Sequence, residues 1–152
     1  MEKLIQSFKK RQLKITPQRL AIFEVLKDDK SHPSAEEIYE KVRKDYPTIS
    51  LATIYQTLDT LDRIGGITVL KFDRRKTRYD PDLSPHHHII CTRCSKITDL
   101  HHDYSKGLRL TPALRDRFQV NGCNVIFYGV CQKCRKKSRT QKSKSKIKSW
   151  QL

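Results

Sequence analysis

The sequence predicts an α+β fold in two parts, an N-terminal winged helix-turn-helix domain and a C-terminal α/β domain that contains a four-cysteine zinc site. Three observations support this prediction. Apolar residues recur at helical spacing through the first 65 residues. After Gly66 the pattern changes to short strand-like runs. Two CxxC pairs then lie near the end of the chain, with a spacing that suits zinc knuckles.

The domain boundaries follow from composition. We predict a winged-helix DNA-binding domain over 1–80, a hinge over 81–85, a second domain over 86–134 and a disordered basic tail over 135–152. The hinge reads PDLSP, and the tail contains eight basic residues and no acidic one. The tail would serve either as a solvated extension or as a nonspecific phosphate-binding arm.

The first two helices are predicted from periodicity and from a start signal. Residues 3–13 contain apolar side chains at roughly helical spacing. Thr16 is a good N-cap because its hydroxyl can accept a backbone hydrogen bond, and Pro17 suits the first helical position. The apolar residues over 20–26 supply the buried face of this second helix.

The third and fourth helices are predicted from their caps. Ser34 and Glu37 have the spacing of a capping box at the start of the third helix. Ser50 caps a fourth helix over 51–63, and Gly65 with its neighbouring glycine stops that helix.

A β-hairpin follows the helices. Its strands are predicted over 67–72 and 77–80, around a basic turn at 73–76. Several short helices followed by such a hairpin are typical of a winged helix-turn-helix domain.

The second domain is predicted to combine strands with one helical segment. Strands over 86–91 and 96–100 flank the first CxxC pair, and a strand over 124–130 leads into the second pair. The segment 104–118 is predicted to be mostly helical.

Four cysteines form the predicted zinc site, because two thiolate pairs complete a tetrahedral coordination shell. They are Cys91, Cys94, Cys131 and Cys134. Two disulfides or buried unpaired thiols are the alternatives. The charged N-terminus lacks the apolar core of a signal peptide, so we expect a cytoplasmic protein whose thiols stay reduced.

The net charge of +16 points to a polyanionic partner, most simply DNA. Without the tail the charge is still +8 over 1–134. The second helix of a helix-turn-helix enters the major groove, which makes 51–63 the predicted recognition helix. Its N-terminal part, the start of the second helix and the hairpin turn supply the candidate DNA contacts: Ser50, Thr53, Tyr55, Gln56, Lys14, Arg19, Arg74, Arg75 and Lys76. An ordinary three-helix domain with solvated charges is the alternative.

Three histidines in a row indicate a second metal site. Alternate side chains of a strand share a face, so His86 and His88 point together and His87 points away. If the CxxC turn reverses the strand, paired positions sum to about 185 and Asp99 lies opposite the His86/His87 region. Nitrogen and carboxylate ligands suit Fe(II), Mn(II) or Zn(II). A surface cluster of histidines is the alternative.

Two further donors lie elsewhere in the sequence. Asp80 is at the predicted domain junction, and His32 lies just before the third helix. Five such ligands would leave one octahedral position open, where a small oxidant could bind. The sequence pattern alone does not connect His32 with His86.

A family resemblance connects them. Over about residues 1–134 the chain resembles the ferric uptake regulator family of bacterial metal-dependent repressors. The matching segments are ITPQR at 15–19, HP at 32–33, AEEIY at 35–39, SLATIY at 50–55, RYD at 78–80, the histidine run with the first CxxC, and YGVC at 128–131 with the second. The chain looks most like the peroxide-sensing (PerR-type) branch, which an aspartate at position 99 fits.

This resemblance implies a homodimer that binds double-stranded DNA at a palindromic operator and dimerises through the C-terminal domain. It implies a structural Zn²⁺ on the four cysteines and a regulatory Fe²⁺ or Mn²⁺ on His32, Asp80, His86, His88 and Asp99. By analogy Lys14 and Tyr55 would contact DNA, and His32 and His86 would be the oxidation targets. Many relatives have a histidine where this chain has Cys123, which would either pack as a small apolar residue or act as a redox-active thiol.

We therefore expect a metal-dependent transcriptional repressor, rather than an enzyme, that senses peroxide through metal-catalysed oxidation of histidine ligands. A repressor that responds to iron, manganese or zinc without peroxide chemistry is the first alternative. A non-haem iron or zinc enzyme is disfavoured because no HExxH helix is evident. A zinc-knuckle module that binds RNA is the third alternative.

Overall fold

The protein is described by a computed structural model that covers residues 2–73, 76–104 and 106–137. The chain divides into two compact units, and the boundary between them lies between Ser84 and Pro85. No helix within the described ranges is both long and apolar enough to span a lipid bilayer.

Four helices form most of the first unit. They are α1 (Glu2–Lys10), α2 (Pro17–Leu26), α3 (Ala35–Val42) and α4 (Leu51–Arg63). Each helix contributes fully buried side chains to one core, such as Phe8, Phe23, Ile38 and Leu58. Burying a side chain of this size stabilises the fold by roughly 1.5–3 kcal/mol, so the core accounts for the compactness of this unit.

The ends of these helices follow the predicted signals, with one difference. Helix α1 stops at Lys10 instead of residue 13, because Gln12 adopts a left-handed conformation (φ 56°) and the Leu13 N–H bonds back to the Phe8 carbonyl at 2.9 Å. The capping box at α3 is confirmed, since the Ser34 hydroxyl accepts from the Glu37 N–H at 3.3 Å and the Glu37 carboxylate accepts from the Ser34 N–H at 2.8 Å.

The N-caps of the other two predicted starts are also confirmed. Thr16 accepts from the Arg19 N–H at 3.3 Å and begins α2, with Pro17 at the first position. Ser50 accepts from the Thr53 N–H at 3.1 Å and begins α4. Helix α4 is followed by Gly65, whose positive φ of 69° suits glycine at a helix C-terminus.

An antiparallel hairpin completes the first unit. Its strands are β1 (Thr68–Asp73), which is shifted by one residue from the prediction, and β2 (Lys76–Asp80), which begins one residue earlier than predicted. The Tyr79 N–H donates to the Pro33 carbonyl at 3.1 Å, which ties the hairpin to the loop before α3. Four helices with this hairpin confirm the winged helix-turn-helix prediction, with α4 as the second helix of the pair formed with α3.

The second unit contains a three-stranded sheet in the order β4-β3-β5, in which β3 pairs antiparallel with β4 and parallel with β5. Its elements are β3 (His87–Cys91), β4 (Ile97–Leu100), α5 (Pro112–Arg117) and β5 (Ile126–Gly129). The mixed sheet together with helical structure confirms the predicted α/β class. Residues 132–137 are helical, so helical structure extends into the first residues of the predicted tail, and 138–152 lie outside the described residues.

The prediction of helix over 104–118 is wrong for most of that segment. Only Pro112–Arg117 is helical. Gly107 has a φ of 104°, which a right-handed helix does not accommodate, and a residue before proline disfavours helical backbone at Thr111. The helix therefore starts at Pro112, within the segment predicted to be mostly helical.

Candidate metal centres and nucleic-acid interface

The four predicted zinc ligands converge in the second unit. Each offers a sulfur atom, and these atoms all lie within 4.8 Å of one another. Cys91 ends β3, and the parallel pairing of β3 with β5 places it opposite Gly129, two residues before Cys131. The two cysteines of each CxxC pair are close because of their spacing in the sequence. The parallel pairing of β3 with β5 brings the two pairs together.

The chemistry of this sulfur cluster fits a soft divalent cation. All five cysteines of the chain are free, and the Cys94 and Cys131 sulfurs lie 3.8 Å apart, well beyond a disulfide bond. Backbone hydrogen bonds from Cys131 and Cys94 lower the pKa of the Cys91 thiol to about 6. Hydrogen bonds among the neighbouring thiols raise the pKa of Cys134 to about 12. A thiolate at Cys91 is therefore favoured near neutral pH, and thiolate is the form in which cysteine binds zinc.

A second group of donors lies on β3, on β4 and on the residue just before β3. The Nε2 atoms of His86 and His88 are 3.0 Å apart, and the Asp99 Oδ1 lies 3.7 Å from the first and 3.8 Å from the second. His88 is buried, whereas Asp99 is partly exposed. Two imidazoles and one carboxylate that converge in this way form one face of a site for Fe(II), Mn(II) or Zn(II).

The position of Asp99 differs from the prediction. In the structure His88 pairs with Asp99, so paired positions sum to 187 rather than about 185. The difference arises at the CxxC turn, which Ser95 closes in a left-handed conformation (φ 55°) while the Cys91 N–H bonds to the Lys96 carbonyl at 2.9 Å. The shift places the carboxylate beside His88, and the predicted proximity to both imidazoles holds.

His87 faces away from this group, as alternation along the strand predicts. Its Nδ1 accepts a hydrogen bond from the Val125 N–H at 3.2 Å, next to the start of β5. Its ring also lies near Tyr104, with centroids 5.9 Å apart. His87 therefore has a structural role in joining the strands, while its two neighbours point toward Asp99.

The other two predicted ligands form a buried pair in the first unit. The His32 Nε2 lies 3.5 Å from the Asp80 Oδ2, and the side chains are 1% and 2% exposed. His32 has a φ of 53°, an unusual conformation for a non-glycine residue, and Asp80 is the last residue of β2. The Arg78 guanidinium holds this loop by donating to the His32 carbonyl at 3.4 Å. The first unit thus presents one imidazole and one carboxylate where the hairpin meets the loop before α3.

The predicted recognition helix exposes its candidate reading residues. Ile54 and Leu58 are fully buried in the core, while Tyr55 is 44% exposed and Gln56 is also exposed. At the start of the helix the Ser50 and Thr53 hydroxyls lie 2.9 Å apart and serve the N-cap. Ser50 thus precedes the helix as its N-cap, and Tyr55, Gln56 and the half-buried Thr53 lie within its first two turns.

The remaining DNA-contact candidates differ in how freely their side chains could bind DNA. Lys14 is exposed, whereas the Arg19 guanidinium donates to the Lys14 carbonyl and lies 5.9 Å from the centre of the Phe8 ring. Arg19 thus also stabilises the fold. Arg74 and Arg75 lie outside the described residues, as does the side chain of Lys76.

Sequence reasoning missed Glu36, although it recognised Glu37 as part of the capping box. The Tyr55 hydroxyl donates a hydrogen bond of 2.7 Å to the Glu36 Oε1. This bond raises the pKa of the Tyr55 phenol above its usual value, because a carboxylate acceptor favours the protonated phenol. A second acid in the first turn of α3 was the only signal in the sequence, and it is common in helices without any such partner.

The chain is similar to known proteins in sequence and in fold. The sequence profile described as the ferric uptake regulator family matches residues 10–128. The peroxide-responsive repressor PerR of Staphylococcus aureus (strain Mu50) is 37% identical over 138 residues, which cover 90% of this chain and 93% of the relative.

Two solved structures show the same similarity. The Campylobacter jejuni peroxide stress regulator is 38% identical, with a TM-score of 0.65 over 86% of this chain and 98% of its own. The Helicobacter pylori ferric uptake regulator Fur, described as having three functional metal-binding sites, is 27% identical, with a TM-score of 0.75 over 88% of this chain and 90% of its own. Sequence and fold are therefore similar to these regulators over most of the chain.

Proposed function

Since this chain belongs to the ferric uptake regulator family, we propose that it is a metal-dependent transcriptional repressor that binds DNA and responds to peroxide. The observation that carries the proposal is the pair of imidazole nitrogens 3.0 Å apart that face the carboxylate of Asp99. Similarity to two proteins named for their response to peroxide supports the peroxide part.

The proposal assigns two metals. A structural Zn²⁺ is held by Cys91, Cys94, Cys131 and Cys134, whose sulfur donors suit zinc. A regulatory Fe²⁺ or Mn²⁺ is held by His32, Asp80, His86, His88 and Asp99, whose nitrogen and oxygen donors suit harder ions. Two carboxylates offset the charge of a divalent ion, which favours its binding.

Under this proposal the five regulatory ligands come from both units of the chain. His32 and Asp80 belong to the first unit, and the other three belong to the second. An ion that binds all five restrains the arrangement of the two units, and so the separation of the two recognition helices in a dimer. Binding at successive major grooves needs a separation of about 34 Å, so the ion selects the arrangement that binds DNA.

The DNA interface of the proposal is centred on α4. Ser50, Thr53, Tyr55 and Gln56 would face base edges and nearby phosphates in the major groove. The basic side chains before α2 and in the hairpin turn would bind phosphates: Lys14, Arg19, Arg74, Arg75 and Lys76. The net charge of +16 supports this assignment, because phosphate neutralisation dominates the affinity of most DNA-binding proteins.

The proposed homodimer would form through the second unit. Most of the exposed large apolar side chains of the described residues lie there, and Leu108 and Phe118 are both 63% exposed. Strand β5 also lies at an edge of the described sheet. Exposed apolar surface next to an edge strand favours association with a second copy.

Substitution of an exposed aromatic residue tests the dimer. We expect Phe118→Glu to shift the protein from dimer to monomer in analytical ultracentrifugation, because it places a charge in apolar surface that the partner would cover. Leu83→Glu is the matched control, since Leu83 is 55% exposed in the first unit. A Phe118→Glu protein that remains dimeric at micromolar concentration would contradict this assignment.

Peroxide sensing follows from the regulatory ligands. When bound, Fe(II) supplies the redox chemistry that breaks the peroxide O–O bond. In the net reaction one peroxide oxygen is inserted into an imidazole C–H bond of His32 or His86, and the other leaves as water. An oxidised imidazole is a weaker ligand, so the metal is lost and the operator is released.

Mass spectrometry tests this mechanism. We expect Fe(II)-loaded protein treated with hydrogen peroxide to gain the mass of one oxygen atom on the peptide that contains His32 or His86, and to release its DNA. Protein loaded with Mn(II), a poor catalyst of this reaction, is the control. It should gain no oxygen on either histidine and should stay bound to DNA. Release of DNA from the iron form without oxygen on either histidine would disprove the mechanism.

A repressor that responds to metal level alone is the second candidate. The high TM-score of 0.75 with the Helicobacter pylori ferric uptake regulator favours it. The same experiment separates the two, since a sensor of metal level alone binds DNA with Fe(II) or Mn(II) equally well before and after peroxide.

A further inference from the structure

We propose that Glu36 is a positioning residue that sets sequence specificity by holding the Tyr55 phenol in place on the DNA-reading surface of α4. The inference rests on the proposed DNA-binding function. It extends that function to a residue outside the candidate contacts that sequence analysis identified.

The Glu36 carboxylate connects the starts of two helices. One oxygen, Oε1, accepts from the Tyr55 hydroxyl on α4 at 2.7 Å. The other oxygen, Oε2, accepts from the Ser34 hydroxyl at 2.7 Å, and Ser34 is the buried N-cap of α3. Both oxygens are thus engaged, so the carboxylate has a fixed orientation and transmits it to the phenol.

Tyr55 needs such an anchor. The side chain is 44% exposed, and its neighbours Ile54 and Leu58 face the opposite, buried side of α4. An exposed tyrosine samples several rotamers, and ordering it on DNA would cost conformational entropy. A hydrogen bond to a charged acceptor is stronger than one between neutral groups, so Glu36 keeps the phenol ordered before DNA arrives.

The position of the charge adds a second effect. Glu36 is exposed beside the recognition helix, where its carboxylate would face the negative potential of DNA. Its charge therefore weakens binding to any duplex, while the ordered phenol favours the correct one. The charge lowers the affinity for every duplex alike, so the ordered phenol alone raises the ratio of specific to nonspecific affinity.

The hydrogen bond between Ser34 and Glu36 also involves the loop that carries His32, a proposed metal ligand. Ser34 follows His32 by two residues, and the Pro33 carbonyl between them accepts from the Tyr79 N–H at 3.1 Å. The residue that orients the Glu36 carboxylate is therefore part of the loop that carries a proposed metal ligand.

The test compares variants that separate charge from position. Glu36→Gln removes the charge but keeps an amide oxygen that can accept from the phenol, and Glu36→Ala removes both. Tyr55→Phe removes the hydroxyl from the other side of the bond. Glu40→Gln is the matched control, because Glu40 is an exposed acid further along α3 that pairs with Arg43.

The probe is a duplex selected in vitro with the wild-type protein loaded with Mn(II). Dissociation constants are measured for that duplex, for a scrambled duplex of equal composition, and for the selected duplex with deoxyuridine in place of single thymidines. The deoxyuridine series reports whether the Tyr55 ring contacts a thymine methyl group. Spectrophotometric titration of the tyrosines reports the hydrogen bond itself.

We expect Glu36→Ala and Tyr55→Phe each to reduce the ratio of specific to nonspecific affinity by about tenfold, as loss of a hydrogen bond to a charged group predicts. Their effects should not add in the double variant, because both remove the same bond. Glu36→Gln should bind the scrambled duplex more tightly and keep most of the discrimination. The Tyr55 phenol should titrate at lower pH in both Glu36 variants than in the wild type.

Two results would overturn the inference: Glu36→Ala with the same discrimination and deoxyuridine profile as Glu40→Gln, or additive effects of Glu36→Ala and Tyr55→Phe. Failure of the wild-type protein to select any duplex would instead overturn the proposed DNA-binding function. The two failures are therefore distinguishable in a single set of measurements.

Discussion

The Cys94→Ser protein is expected to lose its zinc and the ordered structure of its second unit. Cys94 is exposed, so the substitution removes no packing; its effect would come from the lost thiolate. In the described part of this unit the only buried apolar residues are Ile90, Cys91 and Ile97, which form a small core. Structural zinc in small domains contributes on the order of 10 kcal/mol, more than such a core supplies.

Zinc content by elemental analysis and amide dispersion in NMR spectra test this expectation. Cys123→Ser is the matched control, because it makes the same chemical change at an exposed cysteine outside the cluster and should retain one zinc per chain. A Cys94→Ser protein that binds zinc stoichiometrically and keeps a folded second unit would show that the four sulfurs are not the site.

The His32→Asn protein is expected to fold and keep its structural zinc but to lose the dependence of DNA affinity on the regulatory metal. Asparagine tolerates the left-handed conformation that His32 adopts (φ 53°), so the loop should be retained. The imidazole ligand of the first unit is lost, and with it the proposed connection between the units. Typical coupling between two binding sites changes affinity about 5–150-fold. We expect the whole increase in DNA affinity that the regulatory metal causes to disappear in this variant.

Titration of DNA binding with Mn(II) measures this effect. His102→Asn is the control, because His102 is exposed in the second unit next to Tyr104 and is not among the proposed ligands. If His32→Asn responds to Mn(II) as the wild type does, His32 is not a ligand and the proposed bridging mechanism is wrong.

The parts of the fold that depend on neighbouring residues were predictable from sequence. The N-caps at Thr16, Ser34 and Ser50 are at the predicted positions, because each cap involves a side chain and a backbone group three residues away. The two strands of the hairpin were predicted to within a residue at each end. Such features need no knowledge of the rest of the chain.

The features that depend on distant residues or on unusual backbone angles were not predictable. The register of β3 and β4 depends on the positive φ of Ser95. The absence of helix before α5 depends on the positive φ of Gly107. The parallel pairing of β3 with β5 joins segments more than thirty residues apart, and sequence periodicity carries no signal for it.

The candidate sites divide in the same way. The cysteine cluster was predicted from two local CxxC spacings, and Asp99 was placed near His86 and His88 by strand pairing, whereas His32 was joined to them only through a family resemblance. Glu36 was missed because its role depends on a tyrosine nineteen residues away on another helix. A local pattern identifies a residue that acts within its own turn and overlooks one that acts on a neighbouring element.

The joining of the two cysteine knuckles by adjacent parallel strands has a consequence for the evolution and engineering of this chain. The segment between β4 and β5 starts and ends on the sheet, so its length is not dictated by the coordination sphere. Lengthening a closed loop costs little free energy, about 0.6 kcal/mol for each doubling. Residues inserted beside Gly107 should therefore leave the four sulfur atoms close together, even where the insertion disturbs the proposed dimer surface at Leu108.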